Sequence, residues 1–302
     1  MRLKVNIVIL NFNGRDLLEK YLPSIVTAAG VSRHECAVTV LDNASTDSSV
    51  EYVQNHFPQA HVIVSPLNRV LCSYNEAVIG LRDDIVILLN NDIRPDPDFV
   101  DPLVDELAGK EDAFFAATHQ DRALPRWHWG VLSADDPAHG NGFFKSPGYA
   151  FTAGIAAFDR KKFVELGGYD ELYLPGRYED VDLCYRAWKR GWKGYYVPAS
   201  RKYHEGGVSF DKRFGWSKTQ AMVYRNSLLF MIKNIQDPWY LAGFLMFLPL
   251  RLSLALLQGK WFIWRGFFDS FERLGLAFRR RREVAGKAIL SDRDVLRVFK
   301  SV

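Results

Sequence analysis

Val5-Asn6-Ile7-Val8-Ile9-Leu10, running into Asn11-Phe12-Asn13-Gly14, is the stretch from which the fold follows. It is a short, almost continuous apolar run rich in β-branched residues and closed by Asn and Gly, the pattern of a strand buried on both faces. Such strands belong to parallel sheets with helices on either side. Next, Asp16 to Thr27 sets Leu17, Leu18, Tyr21, Leu22 and Ile25 at helical spacing, with Asp16 as the expected cap. The unit repeats: Ala37 to Leu41 reads as a strand, Ser45-Thr46-Asp47 as the cap of a helix carrying Val50, Val53 and Phe57, and Val62-Ile63-Val64 as a strand. Ser73 to Leu81 then reads as a helix and Asp84 to Leu89 as a fourth strand. This alternation over the first ninety residues predicts a doubly wound α/β domain.

The second half is less regular. Asp121 to Tyr149, with Pro125, Pro137, Pro147 and several Gly, reads as loop and short strand lining a site. Phe151 to Phe158 reads as a strand, Arg160 to Leu166 as a helix closed by Gly167-Gly168, and Asp180 to Arg190 as an amphipathic helix stopped by Gly191. Helices are expected to dominate from Phe214 onward.

The chain has 302 residues, 48% of them hydrophobic, which supports a substantial core and argues against a disordered scaffold. Its net charge of +4 is too mild to point to nucleic acid. The distribution is uneven: from Trp239 onward 12 basic residues face 5 acidic ones, leaving +7 in the tail and −3 in the rest. Cys36, Cys72 and Cys184 show neither C-x-x-C pairing nor a disulfide framework, so buried free thiols in a reducing compartment are expected. Met1 to Leu10 runs straight into a strand pattern without the features of a signal peptide, which leads to the expectation of a cytoplasmic protein.

In an open parallel sheet ligands bind beyond the carboxyl ends of the strands. Asn11-Phe12-Asn13-Gly14, Asp42-Asn43-Ala44-Ser45 and Asn90-Asn91-Asp92 all sit there and should share one rim, although each alone is also ordinary capping and turn chemistry. No Gly-x-Gly-x-x-Gly follows the first strand and no Walker lysine loop occurs, against a dinucleotide oxidoreductase or a P-loop NTPase. Asp92 ends a hydrophobic strand where a carboxylate can bind Mg²⁺ or Mn²⁺ carrying a diphosphate. Glu179-Asp180 opens a helix; first-turn acids favour the helix dipole, yet both cannot cap, and adjacent acids at a helix mouth supply what a general base requires. Asp182 and Arg186, at i and i+4, read as a structural ion pair. In His204-Glu205-Gly206-Gly207-Val208-Ser209 a histidine precedes a Gly pair that lets backbone approach a ligand.

Together these motifs resemble family 2 glycosyltransferases of the GT-A fold, in particular a bacterial rhamnosyltransferase-like branch. The likeness runs from Val5 to about Asn226 through residues 8 to 14, 41 to 47, 88 to 92, 167 to 171, 179 to 188 and 224 to 226. It implies an α/β, Rossmann-like sheet with a C-terminal helical extension. The catalytic domain would span 1–234, with a nucleotide-sugar half (1–118) and an acceptor half (119–234), and a helical region would span 235–302. It further implies inverting transfer from a nucleotide-diphosphate sugar, with dTDP-rhamnose favoured, to a glycan acceptor on a polyprenyl diphosphate, in cell-surface polysaccharide synthesis. Asp180 would be the base, with Glu179 beside it. Asp92 and His204 would hold Mn²⁺ or Mg²⁺. The donor would meet Leu10, Asn11, Phe12, Asp42, Asn43, Asn68, Asn90 and Asn91, with Arg225 neutralising a phosphate. Two departures stand out: Asn90 replaces the first aspartate of the family's D-x-D, and Asn68-Arg69-Val70-Leu71-Cys72 replaces Asn-x-Gly-Phe-Ala, losing the Gly that lets backbone approach closely.

Trp239 to Leu250 is an uncharged stretch of 12 residues, interrupted by Pro249 and ended by Arg251, too short for the ~20 residues a bilayer requires. With Tyr240, Trp261, Trp264 and Arg279 to Arg282 it has the composition of helices lying in a headgroup layer at the inner face of the cytoplasmic membrane. A helical subdomain packed on the core, or a dimer interface, is the other reading. Two further functions compete: a sugar-phosphate nucleotidyltransferase, which lacks its Gly-rich basic loop and leaves Glu179-Asp180 unexplained, and a non-catalytic nucleotide- or carbohydrate-binding protein.

Overall fold

The computed structural model describes residues 2–135, 148–204 and 213–300. Strands β1 (Lys4–Asn11), β2 (Glu35–Asp42), β3 (His61–Val64) and β4 (Ile85–Asn90) lie parallel in the order β3-β2-β1-β4. Beyond β4 the sheet continues through antiparallel β10 (Ala156–Asp159), then β6 (Ala113–Ala117), β11 (Lys193–Tyr196) and the short β9 (Gly148–Tyr149). In β1, Val5, Ile7 and Ile9 face one core layer, with α1 (Arg15–Val31) and α4 (Val100–Leu107), while Val8 faces the other, with α3 (Ser73–Gly80), α5 (Arg160–Leu166) and α6 (Glu179–Lys189). All four side chains are fully buried, each contributing about 1.5–3 kcal/mol of apolar burial. The strand buried on both faces is therefore real, and the α/β fold with it.

Local details differ from the sequence reading. Gly14, not Asp16, occupies the N-cap of α1; Asp16 lies in its first turn, almost fully exposed. The second helix, α2 (Ser49–His56), begins after Ser45-Thr46-Asp47: the Asp47 carboxylate accepts from the Ser49 N–H, while Ser45 and Thr46 bond to Asn13 instead. Phe151 to Ile155 is irregular because Thr152 bridges to Ala123 and the Phe151 carbonyl accepts from the Trp188 indole, so the strand starts only at Ala156. Of the segment from Asp121 to Tyr149, residues 136–147 lie outside the described residues; Leu124–His128 and Val131–Asp135 form a hairpin, β7–β8.

The C-terminal part is helical as expected: α7 (Trp216–Asn234), α8 (Pro238–Leu257), α9 (Trp261–Phe271), α10 (Leu274–Lys287) and α11 (Asp292–Val298). These helices join one apolar cluster with Leu132, Phe151, Tyr173, Tyr185 and Trp188 of the α/β part. Gly266 allows α9 to cross α7 closely, since a Cβ there would stand 2.4 Å from the Ala221 carbonyl oxygen. Buried Asp292 clasps the two parts together, accepting from Tyr185 Oη, Lys189 Nζ and the backbone N–H groups of Gln236 and Asp237.

The apolar stretch is longer than its uncharged core. Helix α8 runs for 20 residues through Pro249 and Arg251, has a mean hydropathy of 1.8, and by length and composition suffices to cross a membrane. Arg251 does not end it because its guanidinium turns inward over the rings of Phe244 and Tyr224. The basic cluster is likewise divided. Arg281 donates to the carbonyls of Ile232 and Ile235 at the end of α7, and Arg280 pairs with Glu283, leaving Arg279 and Arg282 as the exposed pair.

Candidate functional site

The three polar clusters do meet on one rim. Asn11, at the end of β1, donates from Nδ2 to Asp42 Oδ1 (3.0 Å) and accepts at Oδ1 from Asn91 Nδ2 (2.8 Å). Asp42 is buried and its second oxygen accepts from the Ser45 N–H. Asn43 donates to Asn68 Oδ1 (2.9 Å) and to the Val70 carbonyl, and accepts from Ser73 Oγ. The parallel register Asn11↔Asp42 and Leu10↔Asn90 aligns these ends. Gly14 is required here: a Cβ would stand 2.1 Å from Asn91 Nδ2 and 2.7 Å from Asn11 Oδ1. Partly buried Leu10 and exposed Phe12 flank the network.

The Asn68 loop keeps the backbone form expected of glycine without the residue. Val70 sits at φ 53°, its N–H bonded to Asn68 Oδ1. For a β-branched side chain this conformation is strained. The loop is tied across to the 167–171 motif by Arg69, which donates to Glu171 (3.1 Å) and pairs with Glu76 (3.3 Å). That motif has its own reason for glycine: Gly168, at φ 65°, leaves room for Asn75, which bonds both the N–H and the carbonyl of Tyr169.

Asp92 and His204 are brought together across 112 positions, His204 Nε2 lying 2.9 Å from Asp92 Oδ2. The cause is a small antiparallel ladder of β5 (Ile93–Pro95) and β12 (Lys202–His204), in which Ile93 stands opposite His204. The bond to Asp92 raises the His204 pKa against the opposing effect of burial. Among the described residues no three His, Cys, Asp or Glu side chains are grouped to hold a metal. The pair nonetheless fits a divalent ion. Adjacent ligands on an octahedral ion with ~2.1 Å bonds stand about 3 Å apart, and such ions use one or two protein ligands plus substrate phosphates and water. Glu205 to Ser209 lie outside the described residues.

Glu179 and Asp180 open α6 but face different spaces. Glu179 is buried against Val70, Cys72, Pro175 and Gly176, and its Oε2 has no hydrogen-bond partner. Burial, then the neighbouring Asp180, pushes its pKa up to about 8. Asp180 lines a cleft of about 290 Å³ with Asp121, Arg122, Thr152 and Gly154, and burial raises its pKa as well. Asp182 is the structural member: Arg186 (2.7 Å), Lys233 and Asn234 surround it, and despite burial the two cations, with the hydrogen bond from Asn234, hold its carboxyl far below the usual range.

Arg225 does not join the rim. It is buried, donating to the Leu174 carbonyl and to Asn226 Oδ1, and Asn226 in turn donates to the carbonyls of Tyr173, Gly176 and Arg177. The Tyr-Arg-Asn motif thus secures the loop leading to Glu179. Two residues escaped the sequence reading. Exposed Arg213 stacks its guanidinium 5.0 Å from the centre of the Phe12 ring, placing a cation at the rim. Asp121, ion-paired with Lys202 at 3.0 Å, lies within electrostatic reach of both His204 and Asp180. Nothing local distinguishes either from other surface charges.

The model of the family described as "Glycosyl transferase family 2" matches residues 6–167, over half of the chain. The chain belongs to glycosyl transferase family 2. As a glycosyltransferase it is an enzyme, which retires the nucleotidyltransferase and the binding-protein readings. The N-acetylglucosaminyl-diphospho-decaprenol L-rhamnosyltransferases of two Mycobacterium tuberculosis strains, CDC 1551 / Oshkosh and ATCC 25618 / H37Rv, are each 22% identical over 286 residues, covering 82% of this chain and 88% of the relative. Among solved structures, GalNAc-T7 with UDP, GalNAc and Mn²⁺ superposes with a TM-score of 0.62 at 17% identity, over 80% of this chain and 50% of that one. The glycosyltransferase thus spans half the length of the GalNAc-T7 chain. The mannosyltransferase PcManGT from Pyrobaculum calidifontis, in complex with GDP-Man and Mn²⁺, gives a TM-score of 0.55 at 15% identity over 99% and 84%. These likenesses establish the GT-A fold.

Proposed function

We propose that this glycosyltransferase moves a sugar, with L-rhamnose from dTDP-rhamnose as the favoured donor, onto a glycan acceptor carried by a lipid diphosphate, with inversion at the anomeric carbon. The observation that carries the reading is the Asp92–His204 pair at the rim of the sheet, with Asp121, which lines the Asp180 cleft, ion-paired to Lys202 two positions before His204. The half formed by 1–118 would bind the nucleotide sugar with Leu10, Asn11, Phe12, Asp42, Asn43, Asn68, Asn90 and Asn91; the half formed by 119–234 would receive the acceptor. Asp180 takes the proton from the acceptor hydroxyl as that oxygen attacks the anomeric carbon, and the bond to the nucleoside diphosphate breaks on the opposite face. Glu179, held protonated near neutral pH, keeps the helix mouth from carrying two adjacent negative charges. Mn²⁺ or Mg²⁺ held by Asp92 and His204 would stabilise charge on the departing diphosphate. Arg225 acts on the site through the loop it secures.

The name of the mycobacterial relatives supports a lipid-linked acceptor and L-rhamnosyl transfer. The molecular surface supports a peripheral place on a membrane, which we assign to the inner face of the cytoplasmic one: Trp239, Met246 and Leu257 are exposed on α8, Trp261 and Phe268 on α9, and Arg279 and Arg282 on α10. Thermal shift with UDP-, dTDP- and GDP-sugars, each with Mn²⁺, Mg²⁺ or EDTA, tests the donor site. Stabilisation by one nucleotide class that disappears with EDTA and in Asp92→Ala is expected; stabilisation that survives both would remove Asp92 from the role.

A further inference from the structure

We infer that the Arg251 guanidinium, together with the Tyr224 hydroxyl, binds the phosphate groups of the lipid-borne acceptor. The inference rests on the acceptor reading above and names the residues that would recognise its diphosphate.

Arg251 is an odd occupant of an apolar helix. No acidic side chain among the described residues pairs with it, and its Nε and Nη2 are buried without a hydrogen-bond partner. The rings of Phe244 and Tyr224, with centroids 5.4 and 5.9 Å away, fix the guanidinium in place. The Tyr224 hydroxyl is buried beside it, also without a hydrogen-bond partner. Burying guanidinium donors with neither a counter-charge nor an acceptor is unfavourable, and an apolar side chain of similar volume would pack the same space without that cost. Unfilled donors of this kind call for an anion from outside, and the residue retains partial solvent access.

The position suits a phosphate between a lipid and a sugar. Arg251 lies within electrostatic reach of Tyr178, the residue immediately before Glu179 and Asp180. The same helix exposes Met246, Leu250 and Leu257 to the outside. A prenyl-diphosphate-sugar has the same order: apolar chain, charged phosphates, reacting sugar. The donor diphosphate is already accounted for at the Asp92 rim.

The test measures equilibrium binding to the full-length protein of farnesyl diphosphate, farnesol, dTDP with Mn²⁺, and phosphatidylglycerol vesicles, in wild type, Arg251→Gln and Tyr224→Phe. Farnesyl diphosphate should bind wild type more tightly than farnesol. Arg251→Gln should weaken that binding by about 10- to 100-fold, the loss of a charge-assisted hydrogen-bonded contact. Tyr224→Phe, which keeps the ring and loses only the hydroxyl, should weaken it by roughly 3- to 10-fold and carries the test should Arg251→Gln fail to fold. Farnesol and dTDP binding should not change. Equal binding of farnesyl diphosphate by wild type and both variants, or no binding by wild type, overturns the inference. A loss confined to dTDP or to phosphatidylglycerol does so as well, by assigning the site to the donor or to bulk lipid. If farnesyl diphosphate binding depends on Arg251 while a lipid-diphosphate-linked GlcNAc is not extended, the phosphate site stands and the acceptor reading falls.

Discussion

The proposed donor rim and the proposed acceptor side of this glycosyltransferase handle their buried polar groups in opposite ways. At the rim, Asn11, Asp42, Asn43, Ser45 and Asn91 bond to one another, and Asn68 Nδ2 is among the few atoms there without a hydrogen-bond partner. On the acceptor side, Glu179 Oε2, Arg251 Nε and Nη2, and Tyr224 Oη are all buried without hydrogen-bond partners. A satisfied network is rigid before a ligand arrives. An unsatisfied one stores a cost that a ligand or a proton relieves, so the acceptor side is where stability and pH should respond most to change.

The largest expected effect breaks catalysis on one side only. Asp180→Asn should lower kcat by about 10²- to 10⁴-fold, the usual contribution of a positioned base, while thermal shift with the donor nucleotide stays at the wild-type value. Loss of donor binding in parallel would mean that the two sides are not separable. In the wild type, the raised Asp180 pKa places the acid limb of the rate above the ordinary aspartate range, so kcat should fall as pH drops through it.

Next in size is the cost stored at Glu179. With its folded pKa at about 8, the folded chain binds more protons than the unfolded chain between the ordinary glutamate range and pH 8, so stability falls as pH rises through that window. Glu179→Gln should flatten the fall and raise stability at pH 9 by on the order of 1–3 kcal/mol in urea unfolding. An unchanged pH profile would show that Glu179 is relieved by a partner in solution.

The C-terminal arginines sharpen the contrast between structural and free charge. Arg281→Ala should cost about 1–2 kcal/mol of stability, because it uncovers the carbonyls of Ile232 and Ile235 at the end of α7. Arg279→Ala with Arg282→Ala should leave the melting temperature alone and weaken flotation with anionic liposomes; equal flotation would favour a dimer interface for this face. The smallest effect lies at the rim: Val70→Gly should stabilise by about 1 kcal/mol, because a β-branched residue at φ 53° carries strain that glycine does not.

Much of the polar rim was legible in the sequence, because its residues sit at strand ends within contiguous motifs and the parallel register lines those ends up. Asn11, Asp42 and Asn91 needed only the rule that ligands meet the carboxyl ends of strands. Helix starts were less legible: Ser45 and Thr46 turn from capping α2 to bonding Asn13 in the neighbouring loop, a competition that local sequence does not display. The charged residues were least legible. Arg225 resembled a phosphate ligand and is bonded to the loop before Glu179, whereas Arg213, with no motif around it, stands over Phe12 at the rim.

By itself the sequence determined the alternation of strands and helices, the double burial of β1, the glycine at position 14 and the family to which the chain belongs. The first three follow from hydrophobic period and turn chemistry, which act over a few residues; the family follows from its ordered motifs. Only the tertiary structure decided that His204 would meet Asp92, that Glu179 and Asp180 would face separate spaces, and that Arg251 would turn inward from an apolar helix. Each of those depends on a strand register or a helix crossing between segments far apart in the chain, and such contacts form only when the distant surfaces pack.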